Sequence, residues 1–213
     1  MPVLRQRADQ RQVMLAWLKR VVAPSRSDKK TTCTPQSVGI LGENIPRYPP
    51  FMKGLPVVAP EKLVQTQQEL LLQIANTVVV NKLLFEKHYL GAITRFAAYA
   101  HLLPASQSHH HRGAGGLLRH SIEVGLWALQ AGDKMLLDIG KTPSQRRELE
   151  PRWQLAAFLC GLCHDAGKPA TDLTVSSHDR TKVWRPITEN LSDWAQKNSI
   201  DAYFLDWRAG RSK

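Results

Sequence analysis

Residues 61–88, EKLVQTQQELLLQIANTVVVNKLLFEKH, decide the fold class of this 213-residue chain. Aliphatic side chains are dense in this stretch, helix breakers are few, and Glu61 stands in the first turn, where an acid favours a helix. The three valines at 78–80 favour a strand locally, but the length of the run favours helix. The stretch therefore predicts one long core helix.

The sequence continues the helical pattern on the carboxyl side of this stretch. A second helix is predicted over residues 89–103. Residues 117–140, LLRHSIEVGLWALQAGDKMLLDIG, predict a third helix, because four apolar side chains fall on one stripe: Leu118, Ile122, Leu126 and Leu129.

Two more helices are predicted towards the carboxyl end. Residues 151–169, PRWQLAAFLCGLCHDAGKP, are the most apolar candidate, and Pro151 stands at an opening position that tolerates proline. Residues 186–197 predict the last helix, whereas TDLTVSSHDRTKVW, residues 171–184, has the character of a short strand or a loop. Residues 60–213 are therefore predicted to form an all-α helical bundle.

Residues 1–59 have a different character. Apolar residues spaced three and four apart predict a basic amphipathic helix within residues 1–22. Seven prolines in residues 23–60 exclude long regular elements, so residues 23–59 are predicted to be a Pro-rich linker or an extended wrapping segment.

The positive charge is concentrated in this amino-terminal part. The chain carries 29 Lys and Arg against 18 Asp and Glu, a net charge of +11. Ten of the basic and three of the acidic residues lie in residues 1–54, which gives this part +7 of that charge. A basic excess favours polyanions such as nucleic acid or an anionic membrane surface, although a basic tail can also serve solubility alone. The candidate nucleic-acid contacts are Arg5, Arg7, Arg11, Lys19 and Arg20.

Composition excludes several classes of protein. With 43% hydrophobic residues the chain is typical of a globular protein, and no apolar stretch reaches the roughly 18 to 20 residues of a membrane span. The three cysteines and the charged amino terminus indicate a reducing, cytoplasmic location without a signal peptide. Cys160 and Cys163 could belong to a zinc site, but without a second cysteine pair they are predicted to pack as small apolar side chains.

Several histidines and aspartates carry the chemistry. A histidine on an apolar helix face is more often a hydrogen-bonded core residue than a ligand. The doublet His164 and Asp165 is harder to explain in this way, because a carboxylate at the end of an apolar helix needs a partner or a metal. Imidazole and carboxylate together suit Mn²⁺, Fe²⁺, Mg²⁺ or Zn²⁺.

These motifs resemble a known family. A histidine-bearing helix followed by a His-Asp doublet is similar to the metal site of the HD superfamily. AYAHLLPASQSHHHRGAGGLLRHSIEVGLWAL (98–129) followed by LCHDAGKP (162–169) resembles, more narrowly, the amino-terminal domain of MobH-type conjugative relaxases. These TraI-like proteins of integrative elements and large plasmids are often catalogued as helicases. The resemblance covers about residues 60–213 and implies an HD-like helical bundle.

The resemblance also implies roles for individual residues. His120, His164 and Asp165 correspond to metal ligands, and the triple histidine would extend the centre from one divalent ion to two: His109, His110 and His111. Lys168 and Arg119 would neutralise a phosphate, with Arg112 as a further candidate. The last Asp of the superfamily usually lies far beyond the doublet, and here Asp172 is the nearest candidate, for a second metal. MobH proteins are also longer, so the chain is expected to be truncated at its carboxyl end.

The leading functional prediction is a metal-dependent DNA relaxase that cuts a phosphodiester to initiate conjugative transfer. Its implied partners are single-stranded or supercoiled DNA at an origin of transfer, relaxosome proteins and coupling proteins. Four tyrosines are available as nucleophiles, but structural packing is the preferred interpretation for each: Tyr48, Tyr89, Tyr99 and Tyr203. The alternatives are an HD-type phosphohydrolase of nucleotides and a non-catalytic DNA-binding relaxosome fragment. Helicase activity is not expected, because the 213 residues contain no GxxxxGK[ST] phosphate loop.

Overall fold

The computed structural model describes residues 12–13, 15–18, 20, 49, 51, 53–133 and 140–208, with Asp133 described by its backbone only. The described residues among 12–20 are helical. The elements that follow are β1 (Leu55–Pro56), α1 (Pro60–Gln65), α2 (Gln68–Thr77), α3 (Lys82–Leu84), a π-helical segment (Phe85–Leu90), α4 (Gly91–Ala100), α5 (Gly116–Asp133), α6 (Pro143–Cys163), α7 (Lys168–Thr171), β2 (Leu173–Ser176), α8 (Leu191–Lys197) and β3 (Ala202–Trp207).

The fold is mostly helical but includes a small antiparallel sheet. The strand order is β1-β3-β2, with Leu55 opposite Tyr203 and Leu173 opposite Trp207. The all-α prediction was therefore wrong in this respect. The physical reason is that β3, AYFLDW, is rich in aromatic residues that favour a pleated, half-buried surface.

The predicted long helix over residues 61–88 is interrupted, and this prediction was wrong. Helix α2 ends at Thr77, and the backbone of the next residue, Val78, is extended with ψ of 148°. Asn81 then starts the next helical stretch, because its side chain accepts a hydrogen bond from the Leu84 amide at 2.9 Å. Gln154 stabilises the break from helix α6, since its Oε1 accepts a hydrogen bond from the Val79 amide at 3.1 Å. The local preference of the valines thus prevails over the length of the run.

Helix α6 begins earlier than the sequence analysis predicted. Thr142 and Gln145 form a capping box in which each side chain bonds the backbone amide of the other. Pro143 occupies the first turn, and Pro151 lies inside the helix. The opening position assigned to Pro151 was therefore wrong.

The chain forms two compact units, each built from three separate segments. The first, called the helical unit, comprises Met1–Val22, Gln67–Ile93 and Ser121–Asp165. Its described buried residues include one from the amino-terminal helical stretch and several from α2, the π-helical segment, α5 and α6: Leu18, Leu71, Ile74, Phe85, Tyr89, Leu126, Leu129, Phe158 and Leu162.

The second, called the mixed unit, comprises Ala23–Thr66, Thr94–His120 and Ala166–Lys213 and contains the sheet. Its described core includes residues from all three strands and the segments around them: Leu55, Leu102, Leu103, Leu117, Leu118, Leu173, Val175, Trp184, Leu191, Trp194 and Tyr203. In the part of the chain that the structure describes, every helix is too short or too polar for a bilayer crossing.

Candidate metal centre

The end of helix α6 presents the His-Asp doublet. His164 caps the helix, and its Nδ1 donates a hydrogen bond to the Gly161 carbonyl at 2.7 Å. Because Nδ1 carries the donated proton, Nε2 bears the lone pair in the neutral ring, which is the state that binds a metal. The Asp165 Oδ2 atom lies 3.2 Å from that Nε2, and the Asp165 side chain is 17% exposed.

A tightly held turn, residues 105–116, carries the triple histidine and is called the histidine turn below. The Ala105 amide bonds the His111 carbonyl at 3.0 Å and closes the turn. The backbone of His111 is left-handed, with φ of 59°, a conformation that is uncommon for a residue other than glycine. Gly116 makes the turn fit, because a Cβ there would lie 1.9 Å from the His111 carbonyl oxygen. Strained backbone of this kind occurs where the surrounding contacts over-determine it, often at functional sites.

The histidine turn brings three imidazoles together. The ring centroid of His120, on helix α5, lies 5.1 Å from that of His111 and 6.1 Å from that of His110, and the latter two are 5.4 Å apart. His110 is exposed, whereas His111 and His120 are partly exposed. Three imidazoles within reach of solvent form a nitrogen-rich environment of the kind that borderline divalent cations prefer.

His120 also groups with the doublet. One ligand atom from each of His120, His164 and Asp165 lies within 4.8 Å of the others, so this group could hold a metal ion. Adjacent ligands of an octahedral ion at bond lengths of about 2.1 Å are about 3 Å apart. The 3.2 Å between Nε2 of His164 and Oδ2 of Asp165 matches that spacing. Two nitrogens and one oxygen suit the divalent cations named above, so the residues fit such an ion.

Two further predicted ligands, His109 and Asp172, have polar partners of their own. The His109 Nδ1 is 3.2 Å from the Ser108 hydroxyl, and the His109 amide bonds the Ser106 hydroxyl. Asp172 ends the short helix α7 and accepts a hydrogen bond from the Thr171 hydroxyl at 2.8 Å. Neither His109 nor Asp172 belongs to the three-residue group among the described residues.

The predicted cationic residues have different settings. Arg119 is exposed on helix α5, next to His120. Lys168 is partly exposed, and its ammonium donates a hydrogen bond to the Ala105 carbonyl at 3.2 Å. Of the five proposed nucleic-acid contacts, Arg20 is an exposed helical residue, and four lie outside the described residues: Arg5, Arg7, Arg11 and Lys19.

One histidine that the sequence analysis did not single out is the most buried one described. His101 is 0% exposed, and its Nδ1 lies 2.9 Å from the Tyr203 hydroxyl. Its Nε2 lies 3.0 Å from the amide and 2.9 Å from the carbonyl of Val58. Burial lowers the pKa of His101 to about 4, which keeps the ring neutral. In the sequence His101 lies between apolar residues, and this pattern does not distinguish a buried core histidine from a metal ligand.

The packing predicted for two tyrosines is confirmed, whereas the packing predicted for the two cysteines is not. Packing is confirmed for Tyr89 and Tyr203, which are buried and whose pKa values are raised by that burial. Cys160 and Cys163 are exposed on helix α6, so the prediction that they pack as apolar residues was wrong. Tyr48 lies outside the described residues.

Comparison with known proteins gives one positive finding. Residues 54–213 match the model of the family TraI_2, whose description is "Putative helicase". The match covers three quarters of the chain and includes both the histidine turn and the doublet. No curated protein matches the sequence.

Proposed function

The chain belongs to the TraI_2 family, which is linked to conjugative transfer proteins, and on that premise we propose that it is a metal-dependent DNA relaxase of the MobH, HD-superfamily type. The proposed reaction is cleavage of one phosphodiester in single-stranded or supercoiled DNA at an origin of transfer. The observation that carries the proposal is the grouping of His120, His164 and Asp165, whose ligand atoms lie within 4.8 Å of one another.

The proposal assigns these three residues to the first cation. His164 is prepared for this role, since its Nδ1 is committed to the Gly161 carbonyl. His110 and His111 are the candidates for extending the centre to a second cation, because their rings lie beside that of His120. A divalent cation at this place supplies Lewis-acid polarisation of a phosphate oxygen and lowers the pKa of bound water.

Cationic side chains complete the proposed site. Arg119 neighbours a ligand in the sequence and is exposed, and Lys168 follows the doublet by three residues. We assign to both the neutralisation of phosphate charge during cleavage. Among the described tyrosines, Tyr89 and Tyr203 are buried, and Tyr99 donates its hydroxyl proton to the Ala166 carbonyl at 2.8 Å. The proposal therefore uses none of these three as a nucleophile.

The proposed partners follow from family and charge. The family suggests work on nucleic acid. The +7 of residues 1–54 supports phosphate contacts that position the strand without reading its sequence. Relaxosome and coupling proteins are the further partners that a role in conjugation implies. A nucleotide phosphohydrolase has no comparable use for this charge.

The test compares two His-Asp doublets of the same chain. His164→Ala/Asp165→Asn removes two proposed ligands, and His178→Ala/Asp179→Asn is the matched control, because His178 is exposed and outside the group. Purified wild-type protein and the control should hold near-stoichiometric divalent metal and nick DNA with Mn²⁺, and the ligand variant should lose both.

Two outcomes would overturn the proposal or part of it, and a third would identify a folding defect. A wild-type protein without metal affinity overturns the metal centre. Metal binding without cleavage of single-stranded or supercoiled DNA overturns the relaxase role, and nucleotide hydrolysis by the same preparation would then identify the phosphohydrolase. Equal loss in both double variants would assign the effect to folding.

A further inference from the structure

Two side chains of the mixed unit donate hydrogen bonds to carbonyl groups of two segments: the histidine turn and the turn that follows the His-Asp doublet. Lys168 donates to the Ala105 carbonyl at 3.2 Å, and Tyr99 donates to the Ala166 carbonyl at 2.8 Å. Each bond joins positions more than 60 residues apart in the sequence. Neither bond belongs to a helix or strand, so each depends on that one side chain.

Ala105 joins Lys168 to the histidine turn. Its amide bonds the His111 carbonyl while its carbonyl accepts from Lys168, and its side chain is buried. A charge-assisted bond from an ammonium is stronger than a neutral one. Because His111 is held at a positive φ, the turn needs such external bonds to keep this conformation.

Tyr99 secures the turn that follows the doublet. Ala166, which accepts its bond, is covalently next to Asp165. The ring is held edge-on by Trp184 at 5.6 Å and lies 6.1 Å from the ring of Phe96. Burial raises the pKa of the Tyr99 hydroxyl, so the proton it donates is retained at neutral pH. Because these contacts hold the ring, the hydroxyl that bonds the Ala166 carbonyl has a fixed position.

We propose that Lys168 and Tyr99 are positioning residues of the metal centre. Lys168 fixes the histidine turn through Ala105, and Tyr99 fixes the residue after Asp165 through Ala166. This inference rests on the proposed function and gives Lys168 a role that is separate from phosphate neutralisation. Groups that orient metal ligands typically change metal affinity about 10- to 100-fold when they are removed.

The experiment titrates Co²⁺ into each protein by calorimetry and by visible absorption, which reports the geometry around the ion. Lys168→Met removes the bond to the Ala105 carbonyl and Tyr99→Phe removes the bond to the Ala166 carbonyl, and both preserve most of the side-chain volume. Both should weaken Co²⁺ binding about 10-fold and change its absorption bands. Lys168→Arg should restore most of the affinity, because a guanidinium also donates to a carbonyl.

The matched control is Lys182→Met. Lys182, in an exposed loop, also donates a hydrogen bond to a carbonyl group, that of Asn198 at 3.1 Å. Lys182 lies outside the candidate group. The Lys182→Met protein should bind Co²⁺ with the affinity of the wild type, even if its melting temperature falls.

The outcomes separate this inference from the proposed function. If the wild type binds Co²⁺, and Lys168→Met and Tyr99→Phe bind it with the same affinity and spectrum, the positioning roles are overturned. The proposed metal centre is then unaffected. Equal weakening by Lys182→Met also overturns them, because the effect would then be general destabilisation. Failure of the wild type to bind Co²⁺ overturns the metal centre together with this inference.

Discussion

Gly161 of helix α6 packs against Gly125 of helix α5 so closely that a Cβ on Gly161 would lie 2.7 Å from the Cα of Gly125. The same Cβ would be 2.8 Å from the Val124 carbonyl oxygen. Both obstacles are backbone atoms, which move less readily than the end of a flexible side chain. The close approach of these two helices therefore depends on glycine at position 161.

Gly161→Ala should destabilise the protein by about 1 to 3 kcal/mol, because the helices must separate to admit the methyl group. Gly132→Ala is the control on helix α5, where the nearest atom to the new Cβ would be 3.8 Å away. That change should stabilise by up to about 1 kcal/mol through helix propensity. Urea unfolding of the two variants measures the difference. Equal stabilities would contradict the close contact.

The buried His101 predicts a pH dependence of stability. Its pKa in the folded protein is about 4, below the usual value of 6.5, so protons bind the unfolded chain more readily. The contribution of neutral His101 to the free energy of unfolding is fully present above pH 6.5 and is lost as the pH falls from 6.5 towards 4. The difference in pKa corresponds to about 3 kcal/mol at most.

His101→Asn tests this expectation, because asparagine tolerates the positive φ of 45° at this position. Urea unfolding of both proteins at several pH values between 7.5 and 4 gives their free energies of unfolding. The wild type should lose more stability than the variant on acidification. Parallel pH profiles would show that His101 does not titrate as expected.

The capping box at the start of helix α6 gives a third prediction. Thr142→Ala removes the oxygen that accepts from the Gln145 amide and should cost about 1 kcal/mol of unfolding free energy. Thr142→Ser keeps that oxygen and should remain within about 0.5 kcal/mol of the wild type. If both variants unfold at the same denaturant concentration, the helix does not depend on this cap.

Sequence patterns predicted the existence of most helices but not their limits. The start of helix α6 carried a signal that was available, since Thr142 and Gln145 have capping-box spacing and Pro143 stands at the first turn. The apolar run after Pro151 drew the prediction to the wrong residue. The break after Thr77 had a local signal in the valines at 78–80, but the bond between Gln154 and Val79 that stabilises it has no local signature.

The candidate site was also predicted only in part from the sequence. The motifs containing His120, His164 and Asp165 pointed to these residues, and the structure brings them into one group. Their role as ligands stays a prediction. The bonds of Lys168 and Tyr99 to carbonyl groups could not be predicted, because the partner of such a bond is set by the tertiary fold and has no sequence signature.

The basic amino-terminal residues predict a salt dependence of DNA binding. Each phosphate contact contributes about 0.9 to the slope of log affinity against log salt concentration for duplex DNA. Lys19→Gln/Arg20→Gln should therefore reduce that slope by nearly 2, with metal content unchanged. Arg147→Gln/Arg152→Gln removes the same charge from exposed positions on helix α6 and is the control. Fluorescence anisotropy with a labelled duplex at several salt concentrations gives both slopes. If the two variants change the slope equally, net charge alone carries the binding and the amino-terminal residues make no contacts of their own.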